Sequence, residues 1–365
     1  MSTETIFFIG FLAFNALMLA LDLGIFNKKD HAVSFREAAV MSLIWVSCSL
    51  AFYAFLTIKG ELIHGITNFE QLQEAVVAHK HNIQLIAGDF AASLEVYRKN
   101  LALEYISGYL VEYALSVDNI FVMVMIFTAF GVDKKYYHRV LFWGILGAVI
   151  MRFVFIFLGA ALINQFDWIL YVFGVFLVYT GFMMYVNRNQ EESIDPENHK
   201  VVKLASRFFA VHPRYEGNNF FVRIDGKRMV TPLFLVLLVI EFTDVIFAVD
   251  SIPAIFAVTR DPYIVFFSNI FAILGLRSMF FLLVNILYKF HYLKVGLSFL
   301  LVFIGLKMLA HHYLESWGFT TAHSLYVIIG ILVVSVAASL LFPVKNVQVP
   351  EGNKEPGNTR EDKEV

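Results

Sequence analysis

Nine stretches of this 365-residue chain are apolar over about the length that takes an α-helix through a lipid bilayer. A hydrocarbon core about 30 Å thick needs roughly 20 consecutive apolar residues in helical form. Lipid gives the backbone no outside hydrogen-bond partner, and only a helix satisfies its own N–H and C=O groups within one segment. The stretches are residues 5–26, 38–58, 105–130, 140–163, 168–186, 232–259, 263–287, 293–310 and 323–342. The expected fold class is therefore an all-α polytopic membrane protein with about nine transmembrane helices. Charged residues make up 16% of the chain, against about a quarter in soluble domains. The first stretch reads as a retained span, because Asp22 and Lys28-Lys29 follow its apolar part and no small-residue cleavage site stands out.

Basic residues give the direction of insertion, since cytoplasmic loops retain Lys and Arg. Residues 27–36, 131–139, 187–231, 288–294 and 343–365 hold 20 of the 28 Lys and Arg, and the alternate loops hold 5. The other three, Arg152, Arg277 and Lys307, lie inside spans. This places the N-terminus outside and the C-terminus in the cytoplasm. A formal charge of −2 from nearly balanced totals leaves no basic face for nucleic acid. The lone cysteine, Cys48, sits in an apolar run and excludes an internal disulfide, a Cys-rich zinc site and an iron–sulfur cluster.

The chain divides into an N-terminal two-helix unit (1–59), an outside loop (60–104), three spans (105–186), a cytoplasmic loop (187–231), three more spans (232–310), a ninth helix (311–342) and a tail (343–365). Amphipathic runs at 69–77 and 82–97 are expected to form short helices on the membrane surface or on the bundle. Asp225-Gly226 between the short strand-like runs 220–224 and 227–231 reads as a β-hairpin with a type I′ turn. Thr231-Pro232 reads as an N-cap followed by Pro at the first helical position. The acidic tail from Val349, with its Gly and Pro, reads as disordered.

The two groups of three spans align with each other. Residues 116–120 (SVDNI) match 248–252 (AVDSI), Arg152 falls opposite Arg277 and Phe142 opposite Phe267, and 180–182 (TGF) match 304–306 (IGL). The third span runs inward and the sixth outward, so the units are expected to be inverted three-helix repeats about an axis in the membrane plane, the organisation of a transporter.

Five acids lie well inside spans: Glu112, Asp118, Glu241, Asp244 and Asp250. Each costs roughly 2.5 to 3.5 kcal/mol at a helix centre if left uncompensated. Arg152, Arg277 and Lys307 are too few to neutralise them, and the surplus calls for a bound cation or protons. Arg152 and Arg277 read either as counter-charges that compete with the ion or as structural. Glu112 and Asp118 are six residues apart, as are Asp244 and Asp250, which puts each pair about 9 Å along the axis and roughly 120° around it. Either the helix is interrupted between them or each acid faces a different side of a cavity. Pro253, three residues past Asp250, is expected to unwind the sixth span locally.

Asn119, Ser251 and Asn269 supply neutral oxygens nearby, and Asp22 is a further candidate close to the end of its span. An oxygen-rich site with no thiolate and no obvious histidine suits manganese, magnesium or calcium over zinc or copper. The ion is cargo, and no resident cofactor is expected. Most histidines lie in loops, including His79, His81, His311 and His312; pairs such as these can bind metal, but solvated loop histidines are the commoner case.

Residues 112–121 (EYALSVDNIF), 231–234 (TPLF), 241–256 (EFTDVIFAVDSIPAIF) and 268–277 (SNIFAILGLR), with 34–38 (SFREA) after the first span, resemble the TerC family of integral membrane proteins in its Alx branch. The resemblance runs from about residue 10 to 311. It implies an inner-membrane protein related to manganese exporters, linked by name to tellurium resistance and grouped with lysine-exporter-like transporters built on inverted repeats. By motif match the metal-handling acids are Glu112, Asp118, Glu241, Asp244 and Asp250, with Asp22 as an addition. The outside loop 60–104 is longer than this branch leads one to expect.

An exporter must move a divalent cation out of a negative interior, which costs about 4.6 kcal/mol per 100 mV. No Walker-type glycine-rich motif is present. Proton antiport is the expected source of energy, with carboxylates that bind metal when ionised and release it when protonated, and with Asp118 and Asp250 sharing the ion. Two other classes stand beside this one: a membrane scaffold or biogenesis factor without transport, and a membrane enzyme acting on an oxyanion such as tellurite. The sequence offers the latter no nucleophile or redox signature.

Overall fold

The computed structural model describes residues 3–26, 34–166, 168–188, 195–196, 198–224, 226–284 and 291–342. Its order is α1 (Thr3–Phe26), α2 (Phe35–Lys59), α3 (Phe69–Ala78), α4 (Phe90–Ala129), α5 (Lys134–Gln165), α6 (Ile169–Val186), α7 (Lys200–Phe208), β1 (Phe221–Ile224), β2 (Lys227–Val230), α8 (Pro232–Phe256), α9 (Pro262–Leu283), α10 (His291–Leu309), α11 (His311–Ser316) and α12 (Thr321–Leu341). Among the described residues nine helices are long and apolar enough to cross a membrane, and they fall on the nine apolar stretches. Hydrocarbon thickness sets the least apolar length of each, which is why hydropathy alone finds them. The tail from 343 onward lies outside the described residues.

Helix α9 is the hub. It packs on α2, α4 and α5, and every residue from Ile264 to Phe281 is buried. Phe266, Phe267 and Phe271 meet Phe8, Phe11 and Phe52 of α1 and α2, with ring centroids 4.2 Å apart at the closest, Phe11 on Phe267. A helix apolar on all sides suits either lipid or a protein core, and α9 occupies the core.

Helix α4 extends much further than expected. The 82–97 stretch is not a separate surface helix: from Phe90 it is continuous with the span, giving 40 residues, or about 60 Å, twice the hydrocarbon core. Buried Tyr97, Leu101, Glu104, Gly108, Val111, Glu112 and Leu115 form one stripe at helical spacing, so the outer half of the helix is held by packing. The unwinding expected at Pro253 is absent. Helix α8 runs unbroken from Pro232 to Phe256, and Pro253 falls in its last turn, where the helix is about to end in any case.

The two strands pair, with Phe221 opposite Val230 and Ile224 opposite Lys227. Gly226 supplies a φ of +80°, and Asp225 lies outside the described residues. Thr231 does precede Pro232 at the start of α8, but its hydroxyl donates to the Asn219 carbonyl at 2.6 Å and accepts no N–H from the first turn of the helix. It ties the hairpin to the bundle.

Helices α6 and α10 cross at glycines. A Cβ on Gly181 would lie 2.7 Å from the Ser298 carbonyl oxygen and 2.9 Å from the Val302 nitrogen; one on Gly305 would lie 2.7 Å from the Gly174 carbonyl oxygen and 2.8 Å from the Val178 nitrogen. One offset of 124 residues carries Gly174, Val178 and Gly181 onto Ser298, Val302 and Gly305, so the two sets of contacts exchange. Because the clashing atoms are backbone, Gly181→Ala and Gly305→Ala should each cost about 1–3 kcal/mol through overpacking. The readout is the unfolding temperature in nanodiscs. The double variant should lose less than the sum, since both changes open one crossing, and unchanged melting in either single variant would contradict a seat this close.

Candidate ion site in the membrane

Four helices bring polar side chains to one buried point. Arg152 of α5, 1% exposed, reaches across to α4, α8 and α9. Its Nη1 donates to Glu112 Oε1, to Asn269 Oδ1 and, at 3.0 Å, to Ser251 Oγ. Its Nη2 stands 3.7 Å from Asp244 Oδ1, an ion pair without a hydrogen bond. Glu112 and Asn269 are 0% exposed and Asp244 is 5% exposed. Burying a charge this deeply is tolerable only when an opposite charge and hydrogen bonds compensate it. One guanidinium faces two carboxylates, so the cluster carries one negative charge in excess if both acids are ionised. No hydrogen-bond donor reaches Glu112 Oε2 or Asp244 Oδ2, and Asn269 Nδ2 likewise has no partner among the described residues.

Glu241 precedes Asp244 on α8 by three residues, so the two share a face. Its carboxylate lies over Gly147 of α5, and a Cβ added there would sit 2.1 Å from Glu241 Oε1. Glycine at 147 makes the cradle for this acid. Asp250 faces the Thr180 hydroxyl of α6, on a different side of α8 from Asp244. Since α4 and α8 are both continuous, the six-residue spacing resolves as acids facing different sides, and not as an interrupted helix. Among the described residues no three of the five membrane acids bring ligand atoms within 4.8 Å of one another.

Asp118 is half-buried and Asn119 buried on α4, and Arg277 is buried on α9. The Asp22 side chain lies outside the described residues. Lys307 is not a counter-charge to the membrane acids. Its Nζ donates to the Ala257 carbonyl at 3.0 Å, just past the end of α8, and it lines a cavity with Lys80, Glu104 and His311. A long side chain in the last turn of its span reaches toward the interface, as lysine near a helix end does.

The reading of the histidines as solvated loop residues missed a second polar group. His64, His79 and Asp261 place one ligand atom each within 4.8 Å of the others. Their separation in sequence hid them.

Among the described residues, nine helices of spanning length with a buried ion pair between them define a multi-pass integral membrane protein. The chain belongs to the Integral membrane protein TerC family, which residues 97–347 match. It is 44% identical over 332 residues to an uncharacterized membrane protein, STKORF319, of Myxococcus xanthus, covering 91% of each chain. It is 42% identical over 327 residues to an Escherichia coli K12 protein named membrane-bound redox modulator Alx, covering 89% of this chain and 91% of that one. An uncharacterized membrane protein of Rickettsia bellii is 38% identical over 327 residues. No solved structure matches the chain.

Proposed function

We propose that this protein is a secondary transporter that exports a divalent metal cation, Mn2+ in first place, from the cytoplasm in exchange for protons. The observation that carries the reading is the buried cluster in which one guanidinium, that of Arg152, faces both Glu112 and Asp244, with Glu112 Oε2 and Asp244 Oδ2 lacking donors among the described residues. Intramembrane ionisable groups mark ion pathways more often than scaffolding. Arg152 stands where a cation would: the guanidinium holds Glu112, Ser251 and Asn269, and an ion that displaces it gains the same oxygens plus Asp244. Glu241, on the same face of α8, then offers the next carboxylate along the path, while Asp118 and Asp250 serve other stages of the passage. Oxygen donors of this kind favour a hard divalent ion.

The exchange of glycine contacts between α6 and α10 supports two inverted three-helix repeats, because a two-fold axis perpendicular to antiparallel helices produces that reciprocity. The lopsided Lys and Arg count supports an inner-membrane protein with its N-terminus outside. The name redox modulator belongs to the relatives; this chain has one cysteine and therefore no dithiol of its own.

Gly147→Ala tests the reading without changing any charged residue. The added methyl displaces the far end of a flexible side chain, so folding should be unaffected while the Glu241 carboxylate loses its place. Mn2+ flux in proteoliposomes should fall in Gly147→Ala as it does in Glu241→Gln, with unchanged melting temperatures. Normal flux in both folded variants would remove Glu241 from the path. Cells lacking the protein that keep an unchanged manganese content under manganese stress would favour a scaffold.

A further inference from the structure

We propose that His64, His79 and Asp261 form a binding site for a divalent first-row transition-metal ion at the end of the bundle that carries α3, with His81 as its fourth ligand. This site is separate from the membrane acids and stands whether or not they carry an ion.

The three groups come from distant parts of the chain. His64 lies in the turn after α2, His79 caps the C-terminus of α3, and Asp261 is the N-cap of α9. Asp261 divides its two oxygens. Oδ1 accepts from the backbone N–H of Tyr263 at 2.9 Å and of Ile264 at 3.4 Å, which is the cap; Oδ2 points away and accepts from His64 Nε2 at 2.8 Å. The His64 and His79 rings lie against each other with centroids 4.5 Å apart, and His79 and His81 are 5.9 Å apart. Lys80 between them has a φ of +50°, a left-handed turn that lets two histidines flanking one residue face the same group.

His81 supplies the independent observation. Its Nδ1 donates to Glu104 Oε1 at 3.0 Å, and Glu104 is itself fixed by Asn100 at 2.6 Å and by the Thr259 hydroxyl at 2.6 Å. That bond fixes the ring with Nε2 on the side of the cluster. Nε2 lies 4.0 Å from Asp261 Oδ2, is buried and has no hydrogen-bond partner. A carboxylate holding one nitrogen of a histidine so that the other faces a metal is the outer arrangement found around metal-ligating imidazoles.

His64 and His79 are half-buried and Asp261 fully buried, so an ion reaches the site from one side. Two or three imidazoles with one carboxylate select zinc, cobalt, iron or manganese over magnesium and calcium.

The test uses the purified full chain in nanodiscs, stripped with chelator and titrated with Co2+. The native protein should bind Co2+ with a visible ligand-field band that millimolar Mg2+ does not displace. His79→Ala and His64→Gln should each lose the band and weaken this binding at least 10-fold, as should Glu104→Gln by releasing His81. Asp244→Asn should leave band and affinity unchanged, which separates this site from the membrane cluster. A native chain that binds no Co2+ overturns the proposal, as does an undiminished band in either folded histidine variant. His79 is half-buried at the end of α3, so His79→Ala is expected to fold.

Discussion

Arg152→Ala should lower the stability of the folded chain by about 3–5 kcal/mol, the range for removing one partner of a buried ion pair. The loss has three parts. Glu112, 0% exposed, is left charged with no cation in contact; Asp244 loses its ion pair; Ser251 and Asn269 lose a common donor. Thermal unfolding in nanodiscs measures it, and native-like melting would show that the cluster is not held as described. Arg152→Lys should recover only part, because one ammonium cannot reproduce the planar fork that reaches three helices. Arg152→Met combined with Glu112→Gln should recover more, since replacing both members of a buried pair is far cheaper than orphaning one. The proposed function adds a further expectation. If Arg152 holds the place of a cation, Mn2+ should stabilise Arg152→Ala, by about 2.7 kcal/mol at 100 times its Kd, and should do much less for the native chain. A purely structural cluster would show no such rescue.

The spans were fully legible because lipid imposes their length on the sequence directly, whereas interior partnership is not written locally. Arg152, Glu112, Asp244, Ser251 and Asn269 each stand out as polar residues in apolar runs. Their assembly around one guanidinium requires four helices to pack, across separations such as the 117 residues between Arg152 and Asn269. Lys307 was misassigned for the opposite reason: a hydropathy window includes it in a span, while its long stem carries the ammonium to the end of α8. The outer half of α4 was missed because residues 90–104 alternate polar and apolar as a surface helix does. Only the structure shows that the apolar stripe is covered. Pro253 carries a breaker signal in sequence, and α8 stops three residues past it, so no interior turn is there to break. The His64–Asp261 contact joins residues 197 apart, one in a loop and one at a helix start. Asp261-Pro262 carried a helix-start signal, but no local feature linked it to the histidines.

Asp244→Asn should reduce Mn2+ transport to background while leaving the chain folded, and the driving force should identify the coupling ion. An outward ion must climb about 4.6 kcal/mol per 100 mV of interior-negative potential. Two protons entering for each ion leaving make the cycle electroneutral, so the potential cancels. The pH gradient then contributes about 2.8 kcal/mol per pH unit, since every 1.4 kcal/mol is tenfold, enough for a roughly 100-fold manganese gradient. Glu241 and Asp244, neighbours on one face of α8, are the two carboxylates that would carry those protons as the ion leaves. Proteoliposomes with the potential clamped by valinomycin should therefore accumulate Mn2+ in proportion to the square of the imposed proton ratio, and Asp244→Asn vesicles should accumulate none. Accumulation that follows the potential at constant pH would replace the antiport with a uniport, and equal accumulation by native and Asp244→Asn protein would remove this carboxylate from the pathway.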